Sequence, residues 1–269
     1  MKRKKIIIYK NRNPYSAKTE EELLKILKSY DAEVLTDTSA QPDLYICIGG
    51  DGSFLNFAHK FRFPKAPVLG INTGHLGFFQ ECDPTNMKKA IAEIFDGNYQ
   101  VQKIRPIEAS IFNRNKLISR KFGINEIMVR GSYAHVSQFA VSVGETKIQD
   151  FSGDGILIST PVGSTAYNYS LGGSLVAPEL DVLQITPVAP MNTAAYRAFH
   201  SSMILPADQT ITINGIGRTN NRTLIISFDG KTSEFYDIDR ILIKQSNLQI
   251  NLIRSVTYDY WKKLADKLL

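Results

Sequence analysis

Residues 44 to 55 read Leu-Tyr-Ile-Cys-Ile-Gly-Gly-Asp-Gly-Ser-Phe-Leu, an apolar run followed by three glycines around one carboxylate. The apolar run, Leu44 to Ile48, predicts a buried strand, and the residues from Ser53 to Phe61 predict a helix. Glycine lets the intervening backbone adopt positive φ and bring its N–H groups close to a ligand. The first turn of the helix adds further unpaired N–H donors. This strand, turn and helix therefore predict a phosphate-binding loop in an α/β domain.

The carboxylate at the centre of the turn, Asp51, has two interpretations. A carboxylate beside a phosphate is repulsive unless it binds Mg²⁺ or accepts a proton from an attacking hydroxyl, and both roles belong to phosphoryl transfer. In the alternative interpretation the glycines form only a tight turn between strand and helix, and Asp51 caps the helix. The turn by itself does not decide between the two.

The first hundred residues alternate strands and helices, which predicts a parallel sheet flanked by helices. The predicted strands are Ile6 to Tyr9, Glu33 to Leu35, Leu44 to Ile48 and Val68 to Ile71. One predicted helix runs from Ser16 to Tyr30, and another starts at Asp83-Pro84 and stops at Gly97. Ligands of such sheets bind at the carboxyl ends of the strands, where the glycine-rich turn and the segment Asn72-Thr73-Gly74 both fall. We expect the two loops to form one cleft.

From Tyr99 onward, alternating short segments replace the helical periodicity and predict a β domain. These segments are Ile107 to Ile111, Phe139 to Val143, Ile211 to Ile213, Leu224 to Phe228, Ile241 to Ile243 and Leu248 to Leu252. The tail from Thr257 to Leu269 again has helical spacing, and we expect it to pack back on the first domain. The predicted domains are therefore 1–100 with the helix 255–269, and 101–254.

Composition limits the class of protein. The 269 residues are 43% hydrophobic and 22% charged, which is typical of globular proteins. Apolar runs are too short to span a bilayer, and the segment Met1 to Lys10 lacks the apolar core of a secretory signal. Cys47 and Cys82 offer neither a disulfide framework nor metal-ligand spacing, so a reducing cytoplasm is expected. The net charge of +6 suits an anionic ligand, but its scattered basic residues leave nucleic acid a weak alternative, and no membrane partner is expected.

A second constellation lies in residues 151 to 173, where a carboxylate between glycines, Gly153-Asp154-Gly155, precedes a strand and a hydroxyl-rich turn. Its hydrogen-bonding side chains and one aromatic ring suit a nucleoside. They are Ser159, Thr160, Ser164, Thr165, Asn168 and Tyr167. The alternative is a strand entering a short helix that is capped by Ser164 or Thr165, ends at Gly172 and binds nothing.

Five motifs, taken in order along the chain, resemble those of the NAD kinase family, which phosphorylates the 2′-hydroxyl of the adenosine ribose of NAD. They are Gly49-Gly50-Asp51-Gly52, Gly70-Ile71-Asn72-Thr73-Gly74-His75-Leu76-Gly77-Phe78, Asn125-Glu126, Gly153-Asp154-Gly155 and Ser159-Thr160-Pro161-Val162-Gly163-Ser164-Thr165-Ala166-Tyr167-Asn168. The resemblance covers nearly the whole chain, whose length suits the short bacterial form. It implies a Rossmann-like α/β domain followed by a β-sandwich, with ATP or polyphosphate as phosphoryl donor and Mg²⁺ or another divalent cation as cofactor.

The resemblance also implies roles for individual residues. Asp51 is the base that accepts the 2′-hydroxyl proton, and Gly49, Gly50 and Gly52 lie at the phosphates. NAD contacts are implied for Gly52, Asn72, Phe78, Phe79, Asn125, Glu126, Asp154, Thr165, Ala166, Tyr167, Asn168, Ser170, Ala189 and Tyr196, whereas Val162 has no assigned role. Tyr196 matches a position that reaches a neighbouring subunit in relatives, which implies a homodimer or homotetramer.

The sequence departs from the family pattern in places. Ser53 replaces a common Thr, Ser152 replaces a common Arg or Lys, and residues 190–195 replace a more polar stretch. These departures bear on inter-subunit contacts and product feedback rather than on the reaction class.

Two other functions stay open. One is a diacylglycerol or sphingoid lipid kinase, which shares the Gly-Gly-Asp-Gly turn but continues differently and needs an acyl-binding surface. The other is a non-catalytic NAD sensor in which Asp51 only caps a helix.

Overall fold

The computed structural model describes residues 3–74, 77–131, 136–192, 198–215 and 223–268. The chain divides into two compact units, the first formed by residues 1–104 together with 248–269 and the second by residues 105–247. Among the described residues no helix is both long enough and apolar enough to cross a membrane.

The first unit begins with alternating strands and helices. Its strands are β1 (Lys4–Lys10), β2 (Ala32–Val34), β3 (Leu44–Ile48), β4 (Val68–Ile71) and β5 (Gln100–Ile104), and its helices are α1 (Pro14–Leu27), α2 (Asp51–Lys60) and α3 (Met87–Phe95). Every residue of β3 and β4 is buried, as expected for central parallel strands that are covered by helices on both faces. Pro14 starts α1, and the side chain of Asn13 accepts a hydrogen bond from the N–H of Tyr15, which satisfies one free donor of the first turn.

The second unit consists almost entirely of antiparallel strands. They are β6 (Ile107–Asn113), β7 (Lys116–Gly123), β8 (Glu126–Gly131), β9 (Ser137–Val143), β10 (Thr146–Gly153), β11 (Gly155–Ser159), β12 (Val182–Val188), β13 (Met203–Pro206), β14 (Ile211–Gly215), β15 (Leu224–Phe228), β16 (Lys231–Phe235) and β17 (Arg240–Gln245), with one short helix, α4 (Tyr167–Ser170). One six-stranded sheet has the order β10-β9-β14-β17-β6-β7, and the other has the order β13-β12-β11-β8-β15-β16. Inward residues of both sheets form a single apolar core, so this unit is a β-sandwich.

The chain then returns to the first unit with β18 (Ile250–Arg254) and α5 (Tyr260–Leu268). The complete first sheet has the order β2-β1-β3-β4-β18-β5, in which β18 pairs parallel to β4 and antiparallel to β5. The parallel α/β domain, the β-sandwich and a C-terminal helix that belongs to the first unit are confirmed.

The sheet order places a topological switch point between β1 and β3. From β1 the chain crosses to β2 on one side, and from β3 it crosses to β4 on the other. Their connections diverge at the carboxyl ends of these two strands, which leaves a crevice there. The glycine-rich turn after β3 therefore lies where open α/β sheets bind their ligands.

Two strands join a different sheet from the one that the sequence predicted. The segments 101–104 and 248–254 were assigned to the β domain, but β5 and β18 complete the first sheet. The alternating pattern of a strand indicates its two faces but not its partner, so these strands resembled those of the sandwich. The first unit is therefore built from both ends of the chain.

Several helix limits also differ from the prediction. Helix α2 begins at Asp51 rather than Ser53, and α1 ends at Leu27 rather than Tyr30. Helix α3 begins at Met87 rather than at Asp83-Pro84, because the carboxylate of Asp83 accepts the N–H and hydroxyl of Thr85 and holds a separate turn. Such side chain to backbone bonds compete with helix formation.

Candidate active site

The glycine-rich turn adopts the predicted positive φ at one of its three glycines. Gly49 has a φ of +146°, and its N–H donates to the carbonyl of Ile71 at 2.9 Å, which ties the turn to the neighbouring strand β4. A Cβ at this position would collide with the hydroxyl of Ser53. Only glycine therefore allows the chain to pass from β3 into α2 along this path.

The carboxylate of Asp51 does not cap α2. The N-cap residue is Gly50, which has no side chain with which to cap the helix, and Asp51 is the first helical residue. Its oxygens instead accept hydrogen bonds from the backbone N–H groups of Phe78 and Phe79, each at 3.0 Å. The interpretation of Asp51 as a helix cap is therefore wrong, and the carboxylate is aimed at the segment that follows β4.

A cation and a glycine complete the surroundings of this carboxylate. The ammonium nitrogen of Lys267 lies 2.8 Å from Oδ2 of Asp51, and the Asp51 side chain retains 28% of its exposure. Gly77 leaves the space that the carboxylate fills, since a Cβ there would approach Asp51 Oδ1 to 2.5 Å. Asp51 is thus fixed by three donors while remaining accessible from one side.

The segment that donates to Asp51 is anchored by the end of the chain. Arg254 of β18, only 3% exposed, donates to the carbonyl of Phe78 at 2.7 Å and pairs with Glu81 at 3.3 Å. Lys263 of α5 donates to the carbonyl of Gln80, and burial, with Arg254 as a lesser cause, lowers the pKa of its ammonium to about 8. The sequence analysis missed Lys267, Lys263 and Arg254, because no local signal links residues nearly two hundred positions apart.

Phe78 and Phe79, predicted to line the NAD pocket, donate their backbone N–H groups to Asp51. The ring of Phe79 is 3% exposed and stacks on Phe54, with ring centres 4.5 Å apart. The amide of Asn72, another predicted NAD contact, both accepts from and donates to the backbone of Gly74, at 3.2 and 3.1 Å. The side chains of Phe78, Phe79 and Asn72 therefore each contact other residues of the first unit.

Further polar groups surround the glycine-rich turn. The amide of Asn11, just after β1, donates to the hydroxyl of Ser53 at 3.0 Å, and the hydroxyls of Ser16 and Thr73 lie 2.8 Å apart. The loops after β3 and β4 thus lie at one end of the sheet, and Asn11, after β1, joins them there, which the sequence analysis did not predict.

In the second unit, Asn125 and Glu126 are held at the start of β8 by Asp229. Its carboxylate accepts the N–H groups of Ile124 and Asn125, both at 2.8 Å. Within the part of the chain that the structure describes, Asn125 Oδ1 and Glu126 Oε2 are buried and make no hydrogen bond. Burial, and to a lesser extent Asp229, raises the pKa of Glu126 to about 8. Buried acceptors without donors are costly, so these two atoms point to a ligand that supplies them.

The hydroxyl-rich stretch uses most of its polar groups internally. Asn168 is fully buried, with its amide donating to the carbonyls of Ser164 and Ser174 and accepting from Thr186 at 2.6 Å. The hydroxyl of Thr160 donates to the carbonyl of Ile124 at 2.6 Å. These groups build the turn, and the sequence could not separate this use from ligand binding.

The same stretch forms a 3₁₀ turn (Val162–Thr165) followed by α4, whose cap residue, Ala166, makes no side-chain bond. The predicted capping by Ser164 or Thr165 is therefore wrong. Tyr167 keeps 45% of its exposure and Ser170 is exposed, while Thr165 and Ala166 are half-buried.

The remaining predicted contacts lie at the ends of strands. Asp154 is exposed between β10 and β11, and Ala189 follows β12 with a φ of +44°, an uncommon conformation for a residue with a Cβ. Ser152 is 4% exposed, and its carbonyl accepts the N–H of Met191. Tyr196 lies outside the described residues.

The chain matches two family models along its length. Residues 8–99 match the ATP-NAD kinase N-terminal domain, and residues 124–255 match the ATP-NAD kinase C-terminal domain. A NAD kinase of Finegoldia magna is 35% identical over 98% of this chain and 97% of its own. A NAD kinase of Staphylococcus carnosus is 34% identical over 89% of this chain and 88% of its own.

Two solved structures share the fold. A yeast NADH kinase in complex with NADH superposes with a TM-score of 0.87 and 21% identity over 98% of this chain and 87% of that one. A NAD kinase from Archaeoglobus fulgidus in complex with ATP superposes with a TM-score of 0.76 and 21% identity over 97% of this chain and 98% of that one.

Proposed function

The chain belongs to the NAD kinase family, and we propose on that premise that it transfers the terminal phosphoryl group of ATP to the 2′-hydroxyl of the adenosine ribose of NAD. The observation that carries the proposal is the environment of Asp51. Its carboxylate lies at the end of a glycine-rich turn and accepts hydrogen bonds from two backbone N–H groups. The Asp51 side chain is also 28% exposed, so a substrate can reach it. A proton acceptor next to a phosphate-binding turn is what transfer to an alcohol requires.

The turn accounts for the donor. The N–H groups of Gly50 and Gly52, with the first turn of α2, bind the ATP phosphates. The N–H of Gly49 is already used by the carbonyl of Ile71, so Gly49 contributes to the phosphate site by shaping the turn. The divalent cation arrives with these phosphates as MgATP, since Mg²⁺ commonly keeps several waters and uses few protein carboxylates. The described residues contain no group of three or more His, Cys, Asp or Glu side chains placed to hold a metal ion.

The chemical step is one displacement. The 2′-hydroxyl gives its proton to Asp51, and its oxygen forms a bond to the γ-phosphorus of ATP. The bond from that phosphorus to the bridging oxygen breaks, and ADP leaves with the electron pair. Positioning and charge neutralisation contribute most of the acceleration in such a reaction.

NAD, the phosphoryl acceptor, needs hydrogen-bonding partners in the protein. Asn125 Oδ1 and Glu126 Oε2 accept hydrogen bonds from the adenosine part of NAD, which removes the cost of leaving them unpaired. Tyr167 supplies an aromatic face. Contacts of NAD with Gly52, Asn72, Phe78, Phe79, Asp154, Thr165, Ala166, Asn168, Ser170, Ala189 and Tyr196 remain part of this proposal.

Substitution of Asp51 tests the base. A general base contributes about 10²- to 10⁴-fold, so Asp51→Asn is expected to lower kcat by that factor with NAD affinity changed only several-fold. The measurement is NADP formation from NAD, ATP and Mg²⁺, together with NAD titration calorimetry. Asp96→Asn, at the exposed end of α3, is the matched control and is expected to keep full turnover. Near-normal turnover of Asp51→Asn would remove Asp51 from the base role.

The same assay separates the rival functions. A lipid kinase phosphorylates diacylglycerol or sphingosine and leaves NAD unchanged, whereas a sensor binds NAD without forming NADP. Replacing ATP by polyphosphate tests the breadth of the donor, and mass measurement in solution tests the expected homodimer or homotetramer. A reducing compartment stays a prediction that is supported by the two free, buried thiols of Cys47 and Cys82.

A further inference from the structure

The last helix of the chain places a cation on Asp51. Lys267, in the last turn of α5, donates to Asp51 Oδ2 at 2.8 Å, and its nitrogen lies 4.2 Å from the centre of the Phe78 ring. Its side chain is 25% exposed, so the pair is partly shielded from water. Surface ion pairs contribute little to stability, but here one partner is the carboxylate that the proposed function uses as the base.

Among the described residues, the hydrogen bonds to Asp51 leave one acceptor position open, on Oδ1. Oδ2 accepts from the N–H of Phe78 and from Lys267, whereas Oδ1 accepts from the N–H of Phe79. Each carboxylate oxygen accepts about two hydrogen bonds. Oδ2 is therefore fully used, and Oδ1 retains the position at which a substrate hydroxyl can donate.

Helix α5 presents Lys267 from a firmly packed element. Lys263, one helical turn earlier, donates to the carbonyl of Gln80, and the ring of Tyr260 lies 6.3 Å from that of Phe78. Leu264, on the same side of the helix, is 3% exposed. The ammonium group is thus held by packing at both ends of the helix, which is how accurate positioning of a reactive group is achieved.

We propose that Lys267 is a positioning residue for Asp51, holding Oδ2 so that Oδ1 faces the acceptor hydroxyl. The proposal rests on the proposed function of Asp51 and adds to it a residue from the opposite end of the chain. The proton of the hydroxyl passes to Oδ1, while Lys267 continues to donate its hydrogen bond to Oδ2. A charge-assisted hydrogen bond is shorter and stronger than a neutral one, which suits it to holding Oδ2 in place.

Replacement of Lys267 separates positioning from substrate binding. Lys267→Met keeps a long, unbranched side chain and removes the charge, with its contacts to Asp51 and to the Phe78 ring. A small misplacement of a reacting group can lower kcat about 10- to 100-fold. The KM values for NAD and ATP are expected to stay within about threefold, because Lys267 makes no proposed contact that binds the substrates in the ground state. Lys267→Arg keeps the charge and is expected to recover most of kcat. Lys262→Met, which removes an exposed lysine of the same helix, is the control and is expected to match the unsubstituted protein.

A double-mutant cycle with Asp51→Asn supplies the decisive comparison. If Lys267 acts through Asp51, adding Lys267→Met to Asp51→Asn lowers kcat little further, since residues that act as one unit are not additive. Multiplicative losses would instead mean that Lys267 acts elsewhere, and unchanged kcat in Lys267→Met alone would equally overturn the proposal. Full activity of Asp51→Asn would be a different failure, that of the base itself. If Lys267→Met does not fold, as judged by Trp261 fluorescence, Lys267→Gln carries the same cycle.

Discussion

Two carboxylates, Asp51 and Glu126, have opposite surroundings. Asp51 receives two N–H groups and one ammonium, whereas Glu126 is buried with one oxygen lacking any partner among the described residues. Burial favours the neutral acid and raises the pKa of Glu126, whereas the carboxylate of Asp51 is held by its three donors. The two acids therefore have contrasting environments.

The pKa of Glu126 predicts a pH-dependent stability. Burial raises the folded-state pKa to about 8, so between the unfolded pKa of 4.5 and pH 8 the folded protein binds more protons than the unfolded chain. The contribution of Glu126 to the free energy of unfolding is therefore fully present below pH 4.5 and is lost as the pH rises toward 8. Glu126→Gln, which cannot ionise, is therefore expected to have a Tm near that of the unsubstituted protein at pH 5 and higher by about 2 °C or more at pH 9.

Thermal melting at the two pH values measures this difference. Glu145→Gln, in the exposed turn between β9 and β10, is the matched control, for which no pH-dependent difference is expected. A Tm difference for Glu126→Gln that is equal at pH 5 and pH 9 would contradict the prediction.

At the scale of elements, β18 connects the end of the chain to the segment that supports Asp51. Arg254 in this strand donates to Gln102 of β5 at 2.8 Å, to the carbonyl of Phe78, and to the carboxylate of Glu81, which is 11% exposed. A planar guanidinium with five donors can serve these partners at once. The strand therefore stabilises the first sheet and orients the donors of Asp51 with the same side chain.

Removal of this guanidinium is expected to destabilise the first unit strongly. Arg254→Met removes the cation from the nearly buried carboxylate of Glu81, which keeps the N–H of Ser255, and breaking a buried ion pair costs about 3–5 kcal/mol in the free energy of unfolding. Lysine cannot reproduce the planar set of donors, so Arg254→Lys is expected to recover little of the loss. Urea unfolding followed by fluorescence reports on this unit, because Trp261 in α5 is the single tryptophan of the chain.

Arg3→Met provides the comparison within the same unit. Arg3 pairs with Asp31 at 3.9 Å, and these side chains are 63% and 62% exposed, so a change of at most about 1 kcal/mol is expected. Equal effects of the two substitutions would mean that burial of Arg254 does not matter.

At the scale of the whole molecule, the two units differ in continuity along the chain. The second unit is formed by residues 105–247 and has one apolar core from its two sheets. The first unit needs both chain ends, since β18 lies between β4 and β5 in its sheet. The sandwich is therefore formed by one continuous segment of the chain, whereas the α/β unit is formed by two segments.

This difference predicts the behaviour of fragments. A fragment of residues 105–247 keeps its complete core and is expected to melt in one cooperative transition, with the circular dichroism of an antiparallel β protein. A fragment of residues 1–104 lacks β18 and α5, leaves β4 as an unpaired edge, and is expected to aggregate or stay unfolded. A non-cooperative melt of the first fragment, or a stable fold of the second, would contradict this view.

The sequence by itself determined the elements that depend on neighbouring residues. The apolar run of β3, the glycines after it and the alternation of the later strands are local properties, and they predicted an α/β domain, a β-sandwich and a phosphate-binding turn. The motifs around Asp51, Asn125 and Tyr167 also indicated the family. Local pattern was sufficient for these because strand pleat, helix period and positive φ are set by each residue and its neighbours.

Only the tertiary structure decided which groups meet. It placed β18 in the first sheet, turned Asp51 from its helix toward the N–H groups of Phe78 and Phe79, and brought Lys267 to the same carboxylate. It also showed that Asn168 builds its own turn, while among the described residues Asn125 Oδ1 and Glu126 Oε2 are buried without a hydrogen-bond partner. Long-range contacts depend on strand order and side-chain packing, which no local pattern in the chain encodes.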